Sequence, residues 1–247
     1  MLGSGANVLV MDDGFDGVVV RLDQPAFRRI VWNGPTDVCV GAGVELMPFA
    51  GLCSRKGLSG LEYMAGIPAT AGGAVRMNAG GRFGDFGDAV REVSLLNDDG
   101  TEEVWPHDRV GFGYRRSGIG PRTVLSARLA LVEDDPVRTF ERYKAVFRTK
   151  RQTQPLAEAS AGCVFKNPRG HSAGALIDQA GLKGTRLGGA RVSERHANFI
   201  VADHGAKSLD VLHLIDFVRE RILRLFGLEL ETEIDIWRSA AGQVVFR

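Results

Sequence analysis

The chain has 247 residues, enough for one large domain or two smaller ones, each with its own core. Hydrophobic residues make up 44% and charged residues 25%, and the net charge of +1 lacks the basic excess expected of a nucleic-acid or membrane-surface binder. Cys39, Cys53 and Cys163 are odd in number and widely spaced, with no Cys-x-x-Cys pair or His-rich cluster. Free thiols in a reducing cytoplasm and no metal are expected. Neither a signal-peptide pattern nor an apolar run of membrane-spanning length is present, so no membrane partner is expected.

In chain order, Val8–Val10 reads as a buried strand that follows a Gly3-Ser4-Gly5-Ala6-Asn7 turn, with nothing ahead of it to pair with. Gly14 and Gly17 punctuate a turn before a second strand, Val18–Leu22. Two more strands, Arg29–Val31 and Val38–Val40, flank the Asn33-Gly34-Pro35 turn. Residues 45–56 read as a helix ended by Gly57 at C′. Val93–Leu96 and Glu102–Trp105 flank Asp98-Asp99-Gly100, a hairpin signal. Thr123–Val132 alternates as a strand, and Pro136–Arg151 reads as a helix with an apolar stripe at Val137, Phe140, Tyr143 and Phe147.

Residues 152–158 form a plausible domain boundary. Beyond it come a strand at Cys163–Lys166, a helix at Ser172–Ala180 closed by Gly181, and a strand at Asn198–Val201. A long helix follows, capped by Ser208 and running to Phe226, with apolar positions Leu212, Ile215, Val218, Ile222 and Leu225. Gly227 ends it, and Glu233–Trp237 with Gln243–Phe246 reads as a closing hairpin. The pattern predicts an α+β protein in two domains, 1–150 and 151–247.

Glycine is the compositional outlier, at 32 residues, and eight of them fall within 60–88 among apolar neighbours. Glycine in such a setting marks backbone that takes positive φ or approaches a ligand closely, and bare amides cradle phosphates. The turn at 3–7 is not a Rossmann fingerprint, because no strand precedes it and no helix follows. Together, two glycine-rich turns in one strand-rich domain suggest two loops closing on one diphosphate.

Several blocks then carry a family resemblance. Gly57–Glu62, Gly66-Ile67-Pro68, Gly72–Val75 and Met77–Gly80 are followed by Phe112–Ser117, Gly162–Pro168, Ala180–Gly184, His196–Phe199 and Leu230–Ile234. In order and spacing this series resembles the UDP-N-acetylenolpyruvoylglucosamine reductase family over nearly the whole chain, in its shorter, second type. The resemblance implies a vanillyl-alcohol-oxidase/PCMH-type FAD-binding domain followed by a smaller α+β substrate-binding domain, whose last strands return toward the FAD site. It also implies a cytoplasmic enzyme of cell-wall peptidoglycan precursor synthesis, monomeric or weakly oligomeric. Using FAD and NADPH, it would reduce the enolpyruvyl ether of a UDP-sugar.

The family motif assigns Gly3, Ser4, Gly5, Ala6, Asn7, Gly66, Ile67, Pro68, Thr70, Gly72, Gly73, Asn78, Ala79 and Gly80 to the cofactor. It assigns Tyr114, Arg151, Asn167, His196 and Asn198 to the substrate, though His196 and Asn198 also suit a role in satisfying loop backbone. The chemistry adds a physical reason for the catalytic set. Hydride arriving at the enolpyruvyl β-carbon leaves negative charge at the α-carbon, which calls for a facing cation. Arg115 matches the family's arginine there, and a guanidinium suits a carboxylate by bidentate geometry.

Glu233, which alone reads as a strand carboxylate, matches the motif's glutamate and would assist the enolate or its protonation. Cys163 stands where the family usually has serine as proton donor. A thiol, with reference pKa about 8.5, is mostly protonated at neutral pH and is the stronger acid.

Three departures stand out. Ala6 and Ala69 replace common serine and glycine positions, and Trp237 stands where a small residue is usual. Family members also carry residues upstream of the point matching Met1, so the flavin domain is expected to be N-terminally incomplete, with Val8–Val10 left as an unpaired edge. Two other readings remain: a FAD oxidase or dehydrogenase of the same fold acting on a hydroxy acid, and a truncated, inactive nucleotide-binding or interaction protein.

Overall fold

The computed structural model describes residues 1–239. The chain divides into two units, one of residues 1–4 with 19–150 and one of residues 5–18 with 151–247. Residues 5–18 therefore belong with the C-terminal half, a departure from a continuous division at residue 150. The cause is pairing. Strand β1 (Val8–Val10) runs parallel to the chain's last described strand, in the register Val8↔Asp235, Leu9↔Ile236 and Val10↔Trp237. It is neither unpaired nor buried, and Val10 is largely exposed.

The first unit is built on a five-stranded antiparallel sheet. Its strands are β2 (Ile30–Trp32), β3 (Asp37–Gly41), β4 (Val90–Leu96), β5 (Glu102–Pro106) and β6 (Thr123–Ala130), in the order β2-β3-β6-β4-β5. The expected hairpins at 33–37 and 97–101 are present. Alternation supplies the core: Val38 and Val40 of β3, Val93 and Leu95 of β4, and Leu129 of β6 are all fully buried. Each such side chain contributes roughly 1.5–3 kcal/mol.

Helix α1 (Leu46–Arg55) covers this core with Leu46, Phe49 and Ala50. It ends at Gly57, whose φ of +74° gives the left-handed turn that glycine tolerates. Val18–Leu22 forms no strand; Val18 is almost fully exposed, and Leu2 N–H donates to Val20 O. Within the glycine-rich run lies a short helix that the sequence pattern hides, α2 (Ala71–Met77). Thr70 caps it by accepting from Gly73 N–H, and Asn78 closes it at φ +42°.

Helix α3 (Pro136–Thr153) follows. Its buried side is not the expected stripe, because Val137 is mostly exposed and Thr139 is fully buried. Tyr143 does face inward, with its hydroxyl donating to Met47 O at 3.1 Å.

The second unit holds a four-stranded antiparallel sheet of β7 (Ser160–Cys163), β8 (Arg186–Leu187), β9 (Ala190–Val192) and β10 (Phe199–Ala202), in the order β7-β10-β9-β8. Strand β7 thus ends at Cys163, where the sequence pattern starts one. Helix α4 (Ala173–Gln179), capped by Ser172, and helix α5 (Ser208–Phe226) complete the core.

The buried face of α5 is Val211, Leu214, Ile215, Val218 and Ile222, while Leu225 is exposed. Ser208 does not cap α5. It exchanges two bonds with Asp12, whose N–H donates to Ser208 Oγ (2.9 Å) and whose carboxylate accepts from Ser208 N–H (3.0 Å). The last described strand is β11 (Asp235–Trp237), so Glu233 lies ahead of it; the partner strand expected at 243–246 lies outside the described residues.

Candidate functional site

The residues expected to hold a phosphate are partly gathered in the first unit. Ser4 Oγ donates to Pro68 O at 2.5 Å, and a Cβ at Gly3 would stand 2.7 Å from Thr70 Oγ1. Gly3, Thr70, Gly72 and Gly73 line one cavity of about 110 Å³, together with Arg21, Arg28 and Arg76. A Cβ on Gly72 would meet Ala42 at 2.9 Å, whereas one on Gly73 would meet nothing closer than Thr70 Oγ1 at 3.5 Å.

Gly72 is therefore required by close packing, and Gly73 leaves bare backbone toward the cavity. Its size suits a diphosphate-scale piece of a cofactor, well below the several hundred Å³ of a whole drug-sized ligand. Three arginines against one carboxylate, Asp23, leave the lining net basic, and with the bare amides this suits an anion.

The expected turn at 3–7 divides between the two units. Gly5, Ala6 and Asn7 belong to the second unit, where Asn7 Nδ2 donates to Glu233 O (3.2 Å) and Asn7 O accepts from Asp235 N–H (2.9 Å).

Asn78, Ala79 and Gly80 gather around Arg115. The Asn78 side chain, 5% exposed, accepts from Gly87 N–H at 2.9 Å and donates to Gly113 O at 3.1 Å. Its amide thus ties the loops at Gly87 and Gly113 together. Ala79 O accepts from Phe86 N–H. Arg115, one of two non-glycine residues at positive φ among those described, takes φ +53°. Its guanidinium donates to Asn78 O (3.3 Å), Gly80 O (2.8 Å) and Asp85 Oδ1 (3.2 Å). Tyr114 is exposed, with its ring centroid 5.0 Å from that guanidinium.

Two groups that sequence reasoning passed over hold the start of the glycine run. Glu62 is a fully buried carboxylate that accepts from Ser59 Oγ, Gly60 N–H and Arg142 Nε at 2.7–2.9 Å. Burial pushes its pKa up, but the bonds from its own and Gly60's N–H, Ser59 and Arg142 outweigh this and hold it below the usual carboxylate value. Lys150 donates to Tyr63 O at 3.0 Å, and its stem lies 3.0 Å from where a Cβ on Gly66 would sit. Burial first, and the charge of Arg115 second, bring its amine down to about 8. Its only signal in the sequence is its place beside Arg151, which belongs to the second unit.

In the second unit, three backbone segments meet. Cys163 pairs with Phe199 at the end of β7, Val164 N–H donates to Asn198 O (2.8 Å), and Glu233 N–H donates to Val164 O (2.7 Å). Cys163 at the end of β7 and Glu233 ahead of β11 are thus linked through Val164, the thiol bearer following Gly162 at φ +77°.

Asn198, 4% exposed, staples the segment: its Oδ1 accepts from Phe165 N–H (2.9 Å) and its Nδ2 donates to Phe165 O (2.8 Å). This is the backbone-satisfying role that the sequence offered for Asn198 beside a substrate contact. His196 Nδ1 accepts from Asn198 N–H at 3.3 Å, and burial, then the charge of Lys183, lower its pKa. Asn167 is exposed, with Oδ1 accepting from Ala173 N–H at the start of α4. Among the described residues no cluster of three His, Cys, Asp or Glu groups could hold a metal, and no helix is long and apolar enough to cross a membrane.

Comparisons with known proteins extend this geometry. A family model described as an FAD binding domain matches residues 1–104, and one described as UDP-N-acetylenolpyruvoylglucosamine reductase, C-terminal domain, matches residues 154–237. The chain is 44% identical over 96% of its length, and 78% of the relative's, to the UDP-N-acetylenolpyruvoylglucosamine reductase of Moorella thermoacetica. It is 38% identical to the Bacillus subtilis protein of that name, again over 96% of this chain and 78% of the relative. A crystal structure of the reductase from Thermus caldophilus superposes with a TM-score of 0.85 at 42% identity, covering 96% of this chain and 84% of that one.

Proposed function

Because the chain belongs to the UDP-N-acetylenolpyruvoylglucosamine reductase family, we infer that it is an FAD-dependent oxidoreductase of peptidoglycan precursor synthesis, acting in the cytoplasm. Its reaction is reduction of UDP-N-acetylglucosamine enolpyruvate to UDP-N-acetylmuramate with NADPH. The observation that carries this reading is the family match over residues 154–237, which spans both Cys163 and Glu233.

The cavity of Gly3, Thr70, Gly72 and Gly73, with its three arginines, fits the phosphate portion of FAD and supports a cofactor site in the first unit. When bound, FAD supplies hydride transfer from NADPH to the enolpyruvyl β-carbon. Arg115 then faces the carboxylate and the charge developing at the α-carbon, held by carbonyl acceptors that leave it little freedom to reorient. Cys163 delivers its thiol proton to the α-carbon. Glu233, on the segment whose main chain bonds to Val164, assists the enolate. Tyr114, Arg151, Asn167, His196 and Asn198 remain the side chains assigned to the substrate.

The test is one titration of purified protein loaded with FAD. Bleaching of the flavin's visible band by NADPH and its return on adding the enolpyruvyl substrate, with UDP-N-acetylmuramate as product, is the expected result. A flavoprotein oxidised only by a hydroxy acid's product, or a chain that takes up no FAD, would overturn the reading.

A further inference from the structure

We propose that Asp85 is a positioning residue for the reaction, fixing the guanidinium of Arg115 in the orientation in which it meets the substrate's developing negative charge. The proposal rests on the role assigned to Arg115 above. An arginine at φ +53° occupies backbone that L-residues with large side chains rarely adopt, and such a conformation persists only where its surroundings over-determine it. Here the surroundings include three acceptors on the two terminal nitrogens: Asn78 O, Gly80 O and the Asp85 carboxylate. The carbonyls contribute partial charge; the carboxylate contributes a full one. The pair is largely shielded, with side-chain exposures of 15% for Arg115 and 32% for Asp85.

The tail of the glycine run is built to deliver this carboxylate. Gly80–Gly81 pairs antiparallel with Gly84–Asp85, setting Gly80 opposite Asp85. A Cβ on Gly80 would stand 2.0 Å from Asp85 Oδ1, so the seat exists only because residue 80 has no side chain. Asp85 has a second task, capping the short helix Phe86–Ala89, where its side chain accepts from the Asp88 N–H and Asp88 answers to the Asp85 N–H at 2.9 Å. A cap alone would explain a short polar residue. It would not explain a carboxylate seated against Arg115 at 3.2 Å.

Serine separates the two tasks, since it caps helices well but is too short to reach the guanidinium. In the FAD-loaded enzyme, Asp85→Ser is expected to keep its flavin content and its rate of flavin reduction by NADPH. Turnover of the enolpyruvyl substrate should fall roughly 10- to 100-fold, the scale set by misorienting one reacting group. Asp85→Asn, which keeps volume and removes charge, should move the same way. In an Arg115→Ala background, Asp85→Ser should cost nothing further, because the two act as a unit.

Wild-type turnover in Asp85→Ser and Asp85→Asn would overturn the proposal. So would an equal loss with and without Arg115, or loss of flavin in both variants, since each marks a purely structural role. Full turnover in Arg115→Ala alone would remove the Arg115 assignment itself, and this inference with it.

Discussion

The glycine-rich region of the first unit and the three-segment ladder of the second carry assigned side chains by opposite means. Around Arg115 little regular structure is available: a seven-residue helix, a two-residue strand pair and two non-glycine residues at positive φ, Asn78 and Arg115. Order there comes from side chains reaching into backbone, with Asn78 bridging Gly87 and Gly113 and Arg115 spanning Asn78 and Gly80. Around Cys163 and Glu233 the backbone itself does the holding, through Val164, Asn198 and Glu233 main-chain bonds, and side-chain staples from Asn198 and Asn7 reinforce a ladder already present. The first arrangement depends on individual residues at special conformations. The second depends on register, so it tolerates a change of side chain at residue 163, cysteine where the family usually has serine.

The largest expected effect lies on the ladder. Cys163→Ala should cut turnover of the enolpyruvyl substrate by roughly 10²- to 10⁴-fold, the usual worth of a general acid. Flavin reduction by NADPH should survive, and because the backbone sets the register, melting should barely change. Stopped-flow measurement of the two half-reactions checks this; an unchanged second half-reaction would remove Cys163 from the mechanism. Cys163→Ser should restore most of the loss.

Next in size is the buried carboxylate that anchors the glycine run. Glu62→Gln removes the charge facing Arg142 and turns one oxygen that accepts from Gly60 N–H into a donor. The loss should be about 2–4 kcal/mol, less than for a fully buried pair because Arg142 is partly exposed. The folded pKa of Glu62 lies below its unfolded value, so its stabilisation is complete above the unfolded pKa and fades as pH falls through the folded one. Urea melts from neutral pH into the acid range should therefore converge for wild type and variant. Parallel curves at all pH values would contradict this.

Asn198→Ala should cost somewhat less, about 1–3 kcal/mol, because it strands the Phe165 N–H and C=O in a buried setting while the main-chain ladder persists. If the ladder is the stronger of the two supports, this loss stays below that of Glu62→Gln in the same melts. The reverse order would invert the comparison.

What the sequence made legible follows the same line. Hairpins and helix ends were readable because their signals are local: Asp98-Asp99-Gly100 turns β4 into β5, and Gly57, Gly181 and Gly227 stand past the helices they close. The motif order identified the family, and with it the assignment of Cys163 and Glu233. Unreadable features depend on distant partners. Ser208 looks like a cap until Asp12, 196 residues away, takes both of its bonds. Val18–Leu22 has strand composition but no ladder to join, and β1 has one only because Asp235–Trp237 comes to it. Asp85, Glu62 and Lys150 are ordinary charged residues by type, and only their partners distinguish them.

Lys150 gives the smallest effect and the finest test of how the glycine run is held. Its amine titrates at about 8 in the fold, below its ordinary value, because burial and the Arg115 charge disfavour the ammonium. Between that pH and the unfolded pKa the unfolded chain binds more protons than the folded one, so stability contributed through this group rises with pH across that window. Below it, the cost of burying the charge is present in full.

Lys150→Met keeps the stem that packs on Gly66 and removes the titration, along with the bond to Tyr63 O. The difference between wild type and Lys150→Met should then shift toward wild type by about 1 kcal/mol from neutral to alkaline pH. A constant difference would mean that the amine stays charged in the fold, with Tyr63 O and solvent compensating it. The start of the glycine run would then be held by a solvated cation at its rim, and the contrast with the main-chain ladder of the second unit would narrow accordingly.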